Sequence, residues 1–187
     1  NADSALTSAK VYGTTSSSSA SVNSGTINGQ TTTVNSGSLT ANLATTPLTP
    51  AQVVGGTTKN VATFDFYASN DSFTITDLTA TTSNATTITS VNLLDCGTSG
   101  SSCSSTPIAT KPGATSTSFT GLSIAVPANT HKYLGIQLVT GSVGSGAGTT
   151  GENVKVTLTQ HKASSSNGVS STTTDDLRGS NIIVFKA

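Results

Sequence analysis

Serine and threonine dominate this sequence and limit the structures that it can form. The chain contains 30 Ser and 37 Thr, together 67 of its 187 residues. Ser competes with the backbone hydrogen bonds of a helix, and β-branched Thr favours strands. Hydrophobic residues make up 33% and aromatic residues only 4%, so the core must consist mainly of Val, Ile, Leu and Ala. The composition therefore predicts an all-β protein.

Stretches of alternating apolar and polar residues indicate where the strands lie. Between Val61 and Ala68, for example, the apolar side chains alternate with Thr63 and Asp65, as expected for a half-buried strand. Proline at position 127 should end another strand, because proline cannot donate a ladder hydrogen bond. Similar alternation occurs in residues 122–126, 134–138 and 154–158.

A change of parity predicts a β-bulge near Asp77. Phe73 and Ile75 occupy odd positions, whereas Leu78 and Ala80 occupy even positions. A bulge adds one residue to a strand, so both pairs could face the same core.

Polar turns separate these stretches and no helical interval divides them. Short strands at this spacing are typical of a β-sandwich. We predict a single antiparallel β-sandwich of immunoglobulin-like or jelly-roll type over residues 21–187. Residues 1–20 are predicted to form an extended N-terminal arm, since the Ser-rich residues 14–20 resemble a flexible tether.

The charge balance excludes several classes of protein. Lys and Arg number 8, Asp and Glu number 8, and charged residues make up 9% of the chain, against roughly 25% in ordinary domains. There is no net charge to attract nucleic acid, and no apolar run approaches the roughly 20 residues of a membrane span. The chain begins at Asn1 and lacks Met, which predicts a secreted product whose signal peptide has been removed.

Groups suited to catalysis are scarce. His131 and His161 each precede a lysine and are interpreted as solvated imidazoles; a zinc pair is the other interpretation, although structural zinc usually takes four ligands. Asp175 and Asp176 are predicted to lie in a polar loop and would point apart if extended, which does not suit the acid/base pair of a hydrolase. Since no nucleophile elbow, phosphate loop or calcium loop is present, we predict a non-enzyme with no catalytic residues, no metal and no cofactor.

The two cysteines bracket a Gly/Ser-rich loop after a predicted strand. A disulfide between Cys96 and Cys103 would close a short ring, which the chain-entropy relation values at about 2.5 kcal/mol. Metal binding by two thiolates without further ligands is the alternative. A disulfide implies an oxidising, extracytoplasmic compartment.

Asn70 and Asn84 lie in N-x-S/T sequons, so they are candidate glycosylation sites in a host that glycosylates surface proteins. The many hydroxyl groups could likewise carry O-glycans.

Residues 36–80 and 119–128 carry a resemblance to known families. They read SGSLTANL, then LTPAQVVGGT, then ATFDFYASNDSFTITDLT, and later FTGLSIAVPA. This order of strand, proline turn, F-x-F strand, Asn turn and strand resembles camelysin-type biofilm-fibre subunits, archaeal bundling pili and immunoglobulin-like modules of prokaryotic surface proteins. The resemblance implies a secreted β-sandwich that polymerises by lending a terminal strand to its neighbour.

The N-terminal arm is the favoured donor strand, because a Ser-rich tether follows it. Residues 181–186 are the more apolar alternative, but they could equally form the last strand of the domain. The candidate donor and interface residues of the arm are Ala5, Leu6, Thr7, Ala9, Val11 and Tyr12.

The leading hypothesis is a structural subunit of an extracellular filament, of pilus or biofilm-fibre type, whose partners are copies of itself and glycans. The alternative is a monomeric surface adhesin or carbohydrate-binding β-sandwich. Sugar binders usually present Trp or Tyr, and this chain has no Trp and three Tyr.

Overall fold

The computed structural model describes the backbone of residues 5–6, 11–12, 19–20 and 27–28, and all atoms of residues 36–45, 48–144 and 148–186. The chain divides into two compact units, residues 1–36 and residues 37–187. In the first unit, β1 (Ala5–Leu6) pairs with β4 (Ile27–Asn28), and β2 (Val11–Tyr12) pairs with β3 (Ser19–Ala20), both antiparallel. The predicted boundary near residue 20 stays a prediction.

The second unit contains two β-sheets. The five-stranded sheet has the order β10 (Pro107–Pro112), β9 (Ile88–Asp95), β13 (Thr130–Thr140), β7 (Thr58–Ser69), β5 (Ser38–Leu43). The six-stranded sheet has the order β11 (Ser116–Phe119), β8 (Phe73–Thr82), β14 (Glu152–Ser165), β15 (Ser170–Phe185), β6 (Ala51–Val54), and β12 (Ile124–Val126) also pairs with β8.

The two sheets pack face to face around an aliphatic core, which confirms the predicted all-β sandwich. Alternate residues of each strand enter this core, as the period of two requires. Its largest fully buried apolar side chains are Phe64, Phe66, Phe119, Ile75, Leu93, Leu134, Ile136, Leu138, Leu158 and Ile182.

The strand pairs are antiparallel except for β6 and β15, which pair in parallel from Ala51↔Ile182 to Val54↔Phe185. The chain passes from β5 in one sheet to β6 in the other, so no tight hairpin dictates the direction of β6. The expectation of a purely antiparallel sandwich is therefore corrected at this edge.

The predicted bulge in β8 is confirmed. Asp77 pairs with Lys162 and Ile75 pairs with Ala163, which leaves one residue of β8 without an opposite partner. The extra residue reverses the parity, and both Ile75 and Leu78 consequently reach the core.

The C-terminal apolar segment forms the last strand of the domain. Residues 182–184 pair with β14, and residues 182–185 pair with β6.

The prediction that Asp175 and Asp176 lie in a polar loop is wrong. Both residues lie within β15, because the β14–β15 hairpin is longer than the sequence indicated.

Gly179 marks a close approach between the sheets. A Cβ at this position would lie 2.6 Å from the Ala62 Cβ and 2.7 Å from the Val61 carbonyl oxygen.

Gly179→Ala should therefore lower the free energy of unfolding by about 2 kcal/mol, because overpacking forces the sheets apart. Denaturant unfolding measures this loss. Adding Ala62→Gly should restore part of it, and a double variant no more stable than Gly179→Ala would contradict the explanation.

Candidate functional site

The disulfide loop lies on the outer face of the five-stranded sheet. Cys96 and Cys103 are bonded, as predicted, and this bond fits an oxidising, extracytoplasmic compartment. A Cβ at Gly135 would lie 2.9 Å and 3.0 Å from the two sulfur atoms. Leu134 and Ile136 enter the core, so Gly135 faces outward and its missing side chain makes room for the disulfide.

Polar contacts anchor both ends of this loop. The Asp95 side chain accepts a hydrogen bond from the Gly97 N–H at 2.8 Å, and its carbonyl oxygen accepts one from the Ser104 N–H at 2.6 Å. Lys132 Nζ lies 2.7 Å from Asp95 Oδ1. The interactions with Lys132 and Gly97 outweigh partial burial and hold the pKa of Asp95 below its usual value.

A cavity of about 310 Å³ opens between the disulfide loop and the residues that follow β5. We call it the loop cavity. Thr45 and Leu48 line one side, Ser99 and Ser101 line the other, and Thr63 and Tyr133 also line it; Ala44 and Gly100 complete it.

A group of ionisable and aromatic side chains borders the loop cavity. His131 Nδ1 lies 2.8 Å from Asp65 Oδ1. The His131 ring centroid is 4.7 Å from that of Tyr67 and 6.2 Å from that of Tyr133. Partial burial, followed by the charge of Asp65, raises the pKa of Tyr133, so its hydroxyl group stays neutral. This group was not predicted from the sequence, although the i, i+2 spacing of His131 and Tyr133 places them on one strand face.

A ladder of amide side chains crosses the same sheet. Gln137 Nε2 donates to Asn60 Oδ1 at 2.8 Å, Asn92 Nδ2 donates to Gln137 Oε1 at 2.9 Å, and Thr110 Oγ1 donates to Asn92 Oδ1 at 2.9 Å. These bonds link β7, β13, β9 and β10 and make this region of the outer face polar.

The two histidines differ sharply in environment. His131 is about half exposed, as predicted, but the prediction of a solvated His161 is wrong. His161 is 2% exposed, its Nδ1 lies 2.7 Å from Asp175 Oδ2, and its ring meets Phe66 edge-on at 5.6 Å. A register shift between Leu158 and residue 160 of β14 reverses the parity and turns His161 into the core.

Asp175 and Asp176 point apart, as the extended geometry requires. Asp175 faces inward to His161, whereas Asp176 is exposed and binds Arg178 at 3.0 Å. Hydrogen bonding to Arg178 holds the pKa of Asp176 below its usual value. The two carboxylates therefore have separate partners and environments.

The predicted glycosylation sites both lie on the surface. Asn70 is exposed and has a φ of 62°, a left-handed conformation that asparagine adopts more readily than most residues. Asn84 is exposed, and its Nδ2 donates to the Asn153 carbonyl oxygen at 2.9 Å. Their glycosylation stays a prediction.

Most edges of the two sheets carry features that discourage pairing with another chain. Edge strand β10 contains Pro107, Lys111 and Pro112. Edge strands β11, β12 and β6 have only four, three and four residues. Next to β6, the pairing of β15 with β14 changes register twice, and this part of β15 carries the exposed Asp176 and Arg178. Proline, charge, bulges and short length all protect an edge.

The edge strand β5 has none of these protections. It spans six residues without proline or charge, and it pairs with β7 from Ser38↔Ser69 to Leu43↔Phe64 without a register shift. Among the described residues, no strand pairs with its other side.

Apolar side chains beside this edge remain only partly buried. Leu39, Ala41 and Leu43 of β5 pack against the core but keep partial exposure, and Leu177 of the neighbouring β15 does the same. We call β5 and these side chains the open edge. Among the described residues, the core is thus only partly covered on this side.

The candidate donor residues fall in the first unit. Ala5 and Leu6 form β1, and Val11 and Tyr12 form β2, while Thr7 and Ala9 lie outside the described residues. Their role as a donor strand stays a prediction.

Two further searches cover the described part of the chain. No three His, Cys, Asp or Glu side chains there are grouped so that they could hold a metal ion. No helix in these segments has the length and hydropathy needed to cross a bilayer.

Comparison with known proteins reveals distant likenesses of fold. No family model and no curated protein matches the chain. A family 123 glycoside hydrolase from Clostridium perfringens matches 80% of this chain at 10% identity and a TM-score of 0.40, and the chain spans 28% of that protein. The cohesin module of a family 33 glycoside hydrolase from Clostridium perfringens matches this chain at 10% identity and a TM-score of 0.39. This match covers 81% of this chain and 98% of the cohesin module. A dockerin–cohesin complex contains a chain that matches at 17% identity and a TM-score of 0.36, over 78% and 99% of the two chains.

Proposed function

We propose that this chain is a structural subunit of an extracellular filament, of pilus or biofilm-fibre type, in which each subunit lends a terminal β-strand to the open edge of the next. The observation that carries the proposal is the contrast among the sheet edges. One edge, β5, has no strand on its outer side among the described residues and carries partly buried apolar side chains, whereas the others carry proline, charge or bulges or are short.

The open edge has the properties of an acceptor. Six residues at about 3.4 Å each give roughly 20 Å of edge, enough for a strand of similar length. An added strand would form ladder hydrogen bonds along β5 and place alternate side chains over Leu39, Ala41 and Leu43. Such a contact joins two different surfaces, so it propagates into a filament.

The N-terminal arm suits the role of donor. Residues 5–12 contain alternating small side chains at Ala5, Thr7, Ala9 and Val11, which can pack beside the partly buried side chains of the open edge. Among the described residues, β1 pairs with β4 and β2 pairs with β3 within the first unit. Strand donation therefore requires the arm to leave these pairings.

The acceptor can be blocked without disturbing the sheet. The Ala44 N–H donates to the Thr63 carbonyl oxygen at 3.0 Å, so even-numbered residues of β5 point their N–H groups towards β7. Ala41 therefore points its N–H away from β7. Ala41→Pro removes this outward donor at an edge, where proline is tolerated, while Ala41→Val keeps the donor and is the matched control.

We expect Ala41→Pro and a deletion of residues 1–12 each to give folded monomers under conditions in which the wild type and Ala41→Val form filaments. An equimolar mixture of the two defective chains should give a heterodimer, because one retains the donor and the other retains the acceptor. Electron microscopy and light scattering distinguish these products, and circular dichroism checks folding. A monomeric wild type, filaments from either defective chain, or a mixture that stays monomeric would contradict the proposal.

A further inference from the structure

We infer that the loop cavity binds a single neutral sugar ring. This inference does not rest on strand donation, because the cavity lies between the disulfide loop and the residues that follow β5, whereas the acceptor is β5 itself. The resulting activity would be glycan recognition by the body of the subunit.

The volume of the cavity limits the size of the ligand. At about 310 Å³ it lies at the lower end of the roughly 300–1,000 Å³ range of ligand pockets. It therefore has room for one ring and not for several.

The lining favours a ligand that is polar and uncharged. Thr45, Thr63, Ser99 and Ser101 present hydroxyl groups, and none of the described lining residues carries a charged side chain. Among them, Tyr133 has the only ionisable side chain, and partial burial followed by the charge of Asp65 raises its pKa. An anionic ligand would lose hydration without gaining a cationic partner from these residues, and the Asp65 carboxylate that acts on Tyr133 would repel it.

Thr63 places a hydroxyl group on the wall of the cavity. The residue is 8% exposed, and its hydroxyl group is not one of the buried groups that lack a partner, so solvent reaches it. A ligand hydroxyl in the cavity could replace water as its hydrogen-bond partner.

The remaining wall suits the apolar face of a sugar ring. Ala44, Leu48 and the Tyr133 ring add apolar surface beside the hydroxyl groups, and tyrosine combines an apolar body with a polar tip. A Cβ at Gly100 would lie 2.6 Å from Tyr133 Cδ1, so the disulfide loop rests directly on this ring. The wall is consequently held in place before a ligand arrives, which reduces the entropic cost of binding.

Saturation-transfer difference NMR on the full chain tests the inference, since it detects weak ligands of monomers and filaments alike. The probes are the methyl glycosides of glucose, galactose, mannose and N-acetylglucosamine, together with methyl glucuronide as the charged counterpart of the glucoside. We expect saturable binding of at least one neutral probe and no binding of methyl glucuronide.

Thr63→Val removes the hydroxyl group from the cavity wall and keeps the shape of the side chain. It should weaken binding by about five- to tenfold and leave the melting temperature unchanged or slightly raised. Thr117→Val is the matched control, because Thr117 is 5% exposed, has a hydroxyl group without a partner among the described residues, and lies in the other sheet. Absence of binding by every neutral probe, equal binding of methyl glucuronide, or equal losses in both variants would overturn the inference. None of these outcomes depends on whether the chain polymerises.

Discussion

Replacing His161 by alanine should lower the free energy of unfolding by about 3–5 kcal/mol, because it removes a buried ring and the hydrogen-bond partner of a buried carboxyl group. Asp175 would be left buried beside a new cavity, with its side chain 7% exposed. Phe66 would also lose the ring that meets its edge. Urea unfolding followed by circular dichroism measures the change.

His131→Ala is the matched control, because the structure contains the same pair of side chains in a different environment. His131 and Asp65 are 2.8 Å apart, against 2.7 Å for His161 and Asp175, but the His131 side chain is 48% exposed against 2% for His161, while the Asp65 side chain is 11% exposed. The loss should be smaller, about 1 kcal/mol, because water can replace a solvent-exposed imidazole as the partner of Asp65. Similar losses for the two variants would show that burial of the histidine is not the cause. Replacing both His161 and Asp175 by leucine should recover much of the stability, since apolar residues of similar volume often substitute well for a buried polar pair.

Replacing Cys96 and Cys103 by serine should lower the free energy of unfolding by about 2.5 kcal/mol, mainly because the unfolded chain regains the freedom of an open loop. The variant should still polymerise, because the disulfide loop lies on the outer face of the sheet and the open edge lies at β5. Thermal unfolding and electron microscopy together measure both effects.

Reduction of the wild type supplies the control for the cysteine variant. Dithiothreitol should lower the melting temperature of the wild type towards that of the variant and leave the variant unchanged. Free thiols in the native secreted protein would contradict the disulfide, and loss of filaments in the variant would place the loop in the subunit contact.

The local features of the fold could be predicted from the sequence. The parity change between Ile75 and Leu78 located the bulge in β8, and the strand that precedes Pro127 ends at Val126. The disulfide could also be predicted, because the chain has two cysteines and only a short flexible loop separates them. These features depend on residues a few positions apart, so alternation and turn chemistry were enough.

The candidate sites depend on contacts between distant residues, so they could not be predicted in this way. Asp65 meets His131 because β7 and β13 pair side by side, although the two residues are 66 positions apart in the sequence. The burial of His161 depends on a register shift within β14. The neighbouring Lys162 had instead indicated a surface position for His161. No local pattern indicates either arrangement.

The sequence by itself determined the class of the protein. About a third of its residues are Ser or Thr, few are charged, and its apolar residues alternate with polar ones. Strands that pack around an aliphatic core are therefore the favoured way to bury the apolar side chains. Only the tertiary structure decided which edge stays open and where a cavity forms. Both depend on the order in which strands assemble, because the neighbours of β5 and the sheet surface beneath the disulfide loop are set by pairing between segments far apart in the chain.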